Sequence, residues 1–360
     1  MTPLLLKGVV CALLVGAGPS PWPVPYEQTK ADPALRLRLV QRLQDQTPGA
    51  LDVNCLAQSP DGKRLAWGEA TGAIGLHAFD SGLTIRVPNL QRDDIGQERG
   101  IVDLAFDDRG RLWWLEESGR VCVSDDPSDG TSPIRKAAAP KPVVPSNLLP
   151  WGVLSIDFGR WLWSKEGASI LELQTGRVHK SEVLFPDQRG INAFVSGAVR
   201  SPDGQWLAVV ADGNAALLSL PDMRIVRRLG PIAAESAAFS PTCGRIALGT
   251  YLRGVHVWQT QTDQFVQEVE MPGYAVVRSL VFVGEDILYT NDSPVCRVDL
   301  RTKSVAAVGP PGATVLLLSD GKDRLFVGTG EGGVDVYELP AVDRPPAASQ
   351  PASQTMPTQP

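Results

Sequence analysis

The residue types that carry most enzyme chemistry are sparse in this chain. Its 360 residues hold three histidines, His77, His179 and His256, and five cysteines, Cys11, Cys55, Cys122, Cys243 and Cys296. No CxxC pair or His-rich neighbour accompanies any cysteine. Neither a metal site nor a disulfide framework is expected, and the thiols read as small buried apolar groups. "GTGEGG" at 328–333 has the G-x-G-x-x-G spacing that can cradle a dinucleotide phosphate. It joins two strand-like segments and opens no helix, so it reads as a hairpin turn and no cofactor is expected. No G-x-S-x-G, H-E-x-x-H or P-loop occurs. Each histidine lies in or beside a strand-like segment, which gives it a place in a sheet rather than the role of a general base.

Such residues can act only where surrounding elements hold them, and these elements repeat. "SPDGKRLAW" at 59–67 has a twin, "SPDGQWLAV", at 201–209. Pro60 suits the second position of a type I turn, Asp61 can accept from nearby N–H groups, and Gly62 tolerates positive φ. The apolar runs around the turn predict a β-hairpin. Weaker copies are "LAFDDRGRLWWL" (104–115), "IDFGRWLWS" (156–164), "AFSPTCGRIALG" (238–249), "VFVGEDILYT" (281–290) and "LLSDGKDRLFVG" (317–328), seven in all. They recur roughly every 44 residues, the span of a propeller blade. Each is followed by a third strand, such as "AIGLHAFD" or "GVHVWQT", and most by a fourth. The pattern predicts an all-β fold, a seven-bladed β-propeller of four-stranded antiparallel blades.

On these turns and third strands, residues 35–340 resemble the WD-repeat and related SPDG-type propellers. Trp258 sits where that family has its Trp, but Gln259 replaces the family's Asp. The Gly-His signature is also missing. The resemblance implies a diverged member with the propeller architecture.

Aligning the blades assigns further positions. Cys55, Asp103, Ser155, Gly197, Ser236, Ser279 and Val315 share one place on the innermost strands, leaving Asp103 as a solitary channel carboxylate. One acid is a poor metal site, since calcium takes six or more oxygens. Trp67, Trp114 and Trp163 share a position with Val209, Leu248, Tyr289 and Val327, so they read as a packing layer. The last repeat lacks a fourth strand. The segment 35–43, with Leu35, Leu37 and Leu39 alternating with Arg36 and Arg38, is expected to supply it and close the ring.

The net charge of −6 and the lack of a basic stripe argue against duplex nucleic acid as a partner. Residues 1–34 combine an apolar run, "GVVCALLVGAG", with a Pro-rich linker. The run has signal-peptide length and is too short for an ordinary membrane span, which favours an exported or periplasmic location over a cytoplasmic one. The Pro/Ser/Gln-rich tail at 341–360 lacks the apolar content to fold.

The loops between blades are the most open region. They and the second-to-third-strand turns should gather Asp93, Asp94, Glu98, Glu116, Glu117, Trp151, Tyr251, Arg253 and Tyr274 around one rim. The leading reading is therefore a non-catalytic scaffold that presents this loop-rich face to a protein or peptide. The alternative is a lactonase-like or quinone-dependent propeller enzyme with its site at the channel mouth.

Overall fold

The computed structural model describes residues 33–44, 52–87, 100–107, 109–117, 121–124, 135–136, 152–155, 160–164, 168–172, 178–180, 195–211, 213–220, 222–251, 254–262, 264–271, 276–291 and 294–343. The described chain is all-β, apart from one 3-10 turn over Pro33–Leu35.

After that turn comes β1 (Arg38–Gln44). The first sheet holds β2 (Val53–Gln58), β3 (Arg64–Glu69), β4 (Ile74–Ala78) and β5 (Leu83–Val87). The second holds β6 (Ile101–Phe106), β7 (Leu112–Glu116), β8 (Val121–Ser124) and β9 (Arg135–Lys136). The third holds β10 (Gly152–Ser155), β11 (Arg160–Ser164), β12 (Ala168–Glu172) and β13 (Val178–Lys180). Next comes one sheet of seven strands: β14 (Val195–Arg200), β15 (Trp206–Ala211), β16 (Gly213–Ser219), β17 (Ile225–Phe239), β18 (Arg245–Thr250), β19 (Gly254–Gln259) and β20 (Phe265–Glu270). A four-stranded sheet follows, of β21 (Leu280–Phe282), β22 (Ile287–Thr290), β23 (Cys296–Asp299) and β24 (Ser304–Ala307). The last sheet is β25 (Ala313–Leu318), β26 (Arg324–Thr329), β27 (Gly333–Glu338) and the early strand β1.

All pairings are antiparallel, and the repeated four-stranded pattern fits a β-propeller-like fold. The seven-stranded sheet departs from that pattern because β17 is continuous. It serves as fourth strand beside β16 and then as first strand beside β18. Gly230 and Ala233 take positive φ within it, at 77° and 53°, so the strand bends without ending.

The turns follow the sequence reading. Gly62 N–H donates to the Ser59 carbonyl at 2.8 Å, and Lys63 N–H to Asp61 Oδ1 at 3.1 Å. Ser59 Oγ accepts from Arg64 N–H at 2.9 Å, and φ at Gly62 is 70°. The twin turn matches: Gly204 N–H to the Ser201 carbonyl is 2.9 Å, and Trp206 N–H to Ser201 Oγ is 2.9 Å.

Apolar cores lie between successive sheets. Cys55, Ala66 and Leu76 of the first sheet pack with Ile101, Leu104 and Trp114 of the second. Trp67 of the first packs with Phe326 and Val336 of the last, beside Leu43 of β1. Of the aligned layer, Trp67, Trp114, Val209, Leu248, Tyr289 and Val327 are buried, and the Trp163 side chain lies outside the described residues. Gly75 is needed for this, because a Cβ there would lie 1.8 Å from Trp67 Cε2. The first strands of the units are neighbours in chain order: β2, β6, β10, β14, the end of β17, β21 and β25, with β25 also beside β2.

β1 pairs with β27, from Arg38 opposite Glu338 to Gln44 opposite Gly333. The strand starts three residues later than expected from alternation. Leu37 is buried with Val295 and Val308, Leu43 is buried beside Trp67, and Leu39 is exposed. A bulge between Leu39 and Gln41 shifts which side chains face inward, a pattern that a strict period of two cannot anticipate. The packed chain also continues past 341: Asp343 is buried against β22 and β23. Among the described residues no helix is long and apolar enough to cross a membrane.

Candidate functional site

The innermost strands carry Asp103, the solitary carboxylate of the aligned positions. In the first, second, fourth, fifth and seventh units the pairing shifts just before the aligned position, as between Val53 and Cys55 or Ile101 and Asp103. Near three of these shifts a polar side chain bonds the backbone of the next unit. Thr314 Oγ1 donates to the Val53 carbonyl at 2.6 Å, Asn54 Nδ2 to the Ile101 carbonyl at 3.0 Å, and Ser236 Oγ to the Val277 carbonyl at 2.6 Å. Such bonding accounts for Ser236 and for Ser279, whose Oγ accepts from Leu316 N–H at 3.0 Å.

Asp103 is half-buried, and its Oδ1 accepts from the Leu104 N–H at 2.8 Å. Burial, with Asp103 nearby, pushes the Cys55 thiol well up, so the thiol stays protonated and inert. One place earlier on the inner strands stand Glu235 and Arg278. Burial raises the Glu235 pKa, and the Arg278 charge partly offsets it. The pair stands one residue before the aligned positions, so the repeat itself is the signal in the sequence that marks it. Among the described residues no group of three or more His, Cys, Asp or Glu could hold a metal.

The expected rim is only partly described. Asp93, Asp94, Glu98, Trp151, Arg253 and Tyr274 lie outside the described residues. Tyr251 is exposed, and Glu117 is half-buried with its N–H bonded to the Gly100 carbonyl at 2.9 Å. Glu116 does not present its carboxylate to a rim. It is 4% exposed, and Cys122 Sγ lies 3.5 Å from its Oε1. By register it matches Glu69 and Thr250, which are also buried. That position ends the second strand, where a polar side chain binds the neighbouring turn or strand, as Thr250 Oγ1 does with Gly254 N–H at 3.0 Å.

A larger feature lies on the other face. A cleft of about 610 Å³ opens between the first sheet and the β6–β7 turn. Its floor and wall are Leu76, His77, Leu83 and Ile85, and its charged groups are Asp61, Lys63, Arg64, Asp80 and Arg109. The volume falls within the range of ligand pockets, about 300–1,000 Å³.

The turn chemistry places each group. The hydroxyl of Ser59, then the N–H of Lys63, hold the Asp61 carboxylate below its usual pKa. Lys63 Nζ pairs with Asp80 Oδ2 at 2.8 Å in the open, a weak contact. The Arg64 guanidinium donates to the Gly110 carbonyl at 3.1 Å and lies 5.3 Å from the Phe106 ring centre. His77 is buried, with Nδ1 at 2.8 Å from Thr84 Oγ1 and its ring edge-on to Phe79. Burial lowers its pKa, so it is neutral at pH 7.

Arg109 differs from the other cations. Its backbone N–H bonds Asp107 at 3.0 Å, but among the described residues no partner takes its exposed guanidinium. Its charge joins those of Lys63 and Arg64 only through the fold, since the two turns belong to different sheets. The sequence signal was the basic residue in each turn, "DGKR" and "DDRGR", read there as turn chemistry alone.

A second cleft, about 430 Å³, flanks the Ser59–Gly62 turn on its other side, toward Asp320 and Asp323. Burial raises the Asp320 pKa. Comparison of the chain with protein-family models and with curated proteins gives no match.

Proposed function

We propose that this chain is a seven-bladed β-propeller, similar to the WD-repeat and SPDG-type families, that serves as a non-catalytic scaffold for a protein or peptide partner. The order of inner-strand neighbours and the pairing of β1 with β27 support the closed architecture. In this reading the doubly used β17 joins blades four and five.

The observation that carries the binding role is the 610 Å³ cleft. It combines an aliphatic wall with cations that internal pairing leaves partly unused. Rigid sheets with grooves between their turns give a partner a pre-formed surface, so little ordering entropy is lost on binding. The opposite, loop-rich face, with Asp93, Asp94 and Tyr251, is the competing location on the same scaffold.

The enzyme alternative needs several convergent groups at one channel mouth. The inner-strand carboxylates described, Asp103 and Glu235, come from the second and fifth units.

Cross-linked capture from native lysate tests the scaffold reading with three baits: the natural chain, Leu83→Glu with Arg109→Glu, and Asp93→Lys with Asp94→Lys. A partner held by the first and lost by either variant supports it, and the variant that fails gives the face. Partners retained equally by all three baits would remove it.

A further inference from the structure

We infer that the cleft beside the Ser59–Gly62 turn receives a carboxylate carried next to an aliphatic side chain, as in an acidic peptide segment. This rests on the binding role above and names the ligand of the same cleft.

The charges decide the sign of the ligand. Three cations, Lys63, Arg64 and Arg109, share the cleft with two carboxylates. Both carboxylates are engaged: Asp61 by the Ser59 hydroxyl and the Lys63 N–H, and Asp80 by the Lys63 ammonium. Neutral His77 adds no charge at pH 7. Among the described residues nothing pairs with the guanidinium of Arg109, which leaves it for an incoming anion. Arg64 is held in place by the Gly110 carbonyl and the Phe106 face, so it keeps donors available at low entropic cost.

The apolar wall decides what accompanies the charge. Leu83 is 52% exposed at the cleft, next to Leu76 and Ile85. An aliphatic side chain beside the carboxylate would cover it. A free inorganic anion would not. Guanidinium forks match carboxylates in a planar, bidentate manner, which favours an acidic side chain over a diffuse negative surface.

The test is fluorescence anisotropy on the full chain with labelled pentapeptides. The probes are Gly-Leu-Glu-Leu-Gly, its Gln analogue, its Lys analogue and its phosphoserine analogue. The Glu peptide should bind roughly tenfold tighter than the Gln peptide, the scale of a charged hydrogen bond. Arg109→Gln should remove that preference without changing the melting temperature, because the side chain is exposed. Leu83→Asp, also at an exposed site, should weaken both peptides.

Equal binding of the Glu and Gln peptides, or an Arg109→Gln variant that keeps the preference, overturns the inference. Tighter binding of the phosphoserine peptide overturns the carboxylate assignment in favour of phosphate. If no peptide binds while captured partners are still lost on altering Leu83 and Arg109, the scaffold reading stands and the carboxylate assignment falls.

Discussion

Removing the Asp343 carboxylate should weaken the whole domain. This residue lies beyond the last strand, and its side chain is fully buried. Arg297 Nε and Nη2 each donate to it at 2.7 Å, and the Tyr289 hydroxyl donates at 2.7 Å. Hydrogen bonds to Asp343 raise the Arg297 pKa, and burial first, then Asp343, push the Tyr289 phenol well up. The C-terminal end of the described chain is thus pinned into the preceding sheet. Asp343→Ala leaves a guanidinium that is 7% exposed, with Asp299 at 3.8 Å as its remaining anion. Breaking one half of such a buried pair costs about 3–5 kcal/mol. At roughly 2 °C per kcal/mol, the low end of the range because the domain is large, the melting temperature should fall by about 6–10 °C. Differential scanning calorimetry reads this directly. Arg297→Met with Asp343→Leu should recover most of the loss, because it removes both charges rather than stranding one. An Asp343→Ala protein that melts within about 0.5 kcal/mol of the natural chain would refute the reasoning. So would a double variant no better than the single.

Three other outcomes follow from the same frame. Deleting residues 1–45 removes β1 with buried Leu37 and Leu43, worth about 1.5–3 kcal/mol each. The product should melt lower or aggregate in size-exclusion chromatography, while deletion of 1–30 or 344–360 should leave melting unchanged. Gly75→Ala forces a methyl group into the Trp67 ring and should cost about 1–3 kcal/mol in urea unfolding; an unchanged midpoint would mean the ring can move aside. Acid should destabilise the fold through its turn carboxylates. Asp61 is held low by Ser59. Asp107 is pushed up by burial but held lower overall by Trp113 Nε1, then by Arg111. A depressed folded pKa adds stability that is complete above the unfolded value near 4 and is lost as pH falls through the folded value. Melting temperature should therefore hold from about pH 7 to 5 and drop below about pH 4, less steeply in Asp107→Asn.

Local chemistry was the legible part of the sequence. The Ser-Pro-Asp-Gly turn demands a hydroxyl, an acceptor and a positive φ in fixed order, and those residues stand next to one another in the chain. The strand supplied by the N-terminus was also visible, because the last repeat ran out before its fourth strand. Features set by distant residues were not visible. Glu116 resembled a rim acid until register placed it among the buried ends of second strands. Asp343 sits in a Pro-rich context that signals a tail, and only Arg297 and Tyr289 across the sheet give it a reason to be buried. β17 reads as two strands because Gly230 and Pro231 punctuate it, yet a left-handed bend lets the ladder run on.

The cleft shows the same division within a single site. Arg64 opens its strand, and Arg245 and Arg324 open the equivalent strands. Arg245 also reaches to the next unit's turn, donating to the Glu285 carbonyl at 3.0 Å and to Asp286 at 2.6 Å. Other neighbouring turns are joined too: Asp203 N–H lies 3.3 Å from Cys243 Sγ, and Asp320 N–H donates to Gln58 at 3.0 Å. A bridge from one turn to the next is thus part of how the frame is tied, and Arg64 has that structural duty whatever binds beside it. Its removal would weaken the fold and any ligand together and would distinguish nothing. Arg109 belongs to a turn that is already closed through the Asp107 carboxylate, at 2.9 Å from Arg111 N–H and 2.7 Å from Arg111 Nε. The turn stands without the Arg109 guanidinium. An exposed cation that the frame does not need, lining the same cleft as an aliphatic wall, is the group whose substitution separates binding from stability.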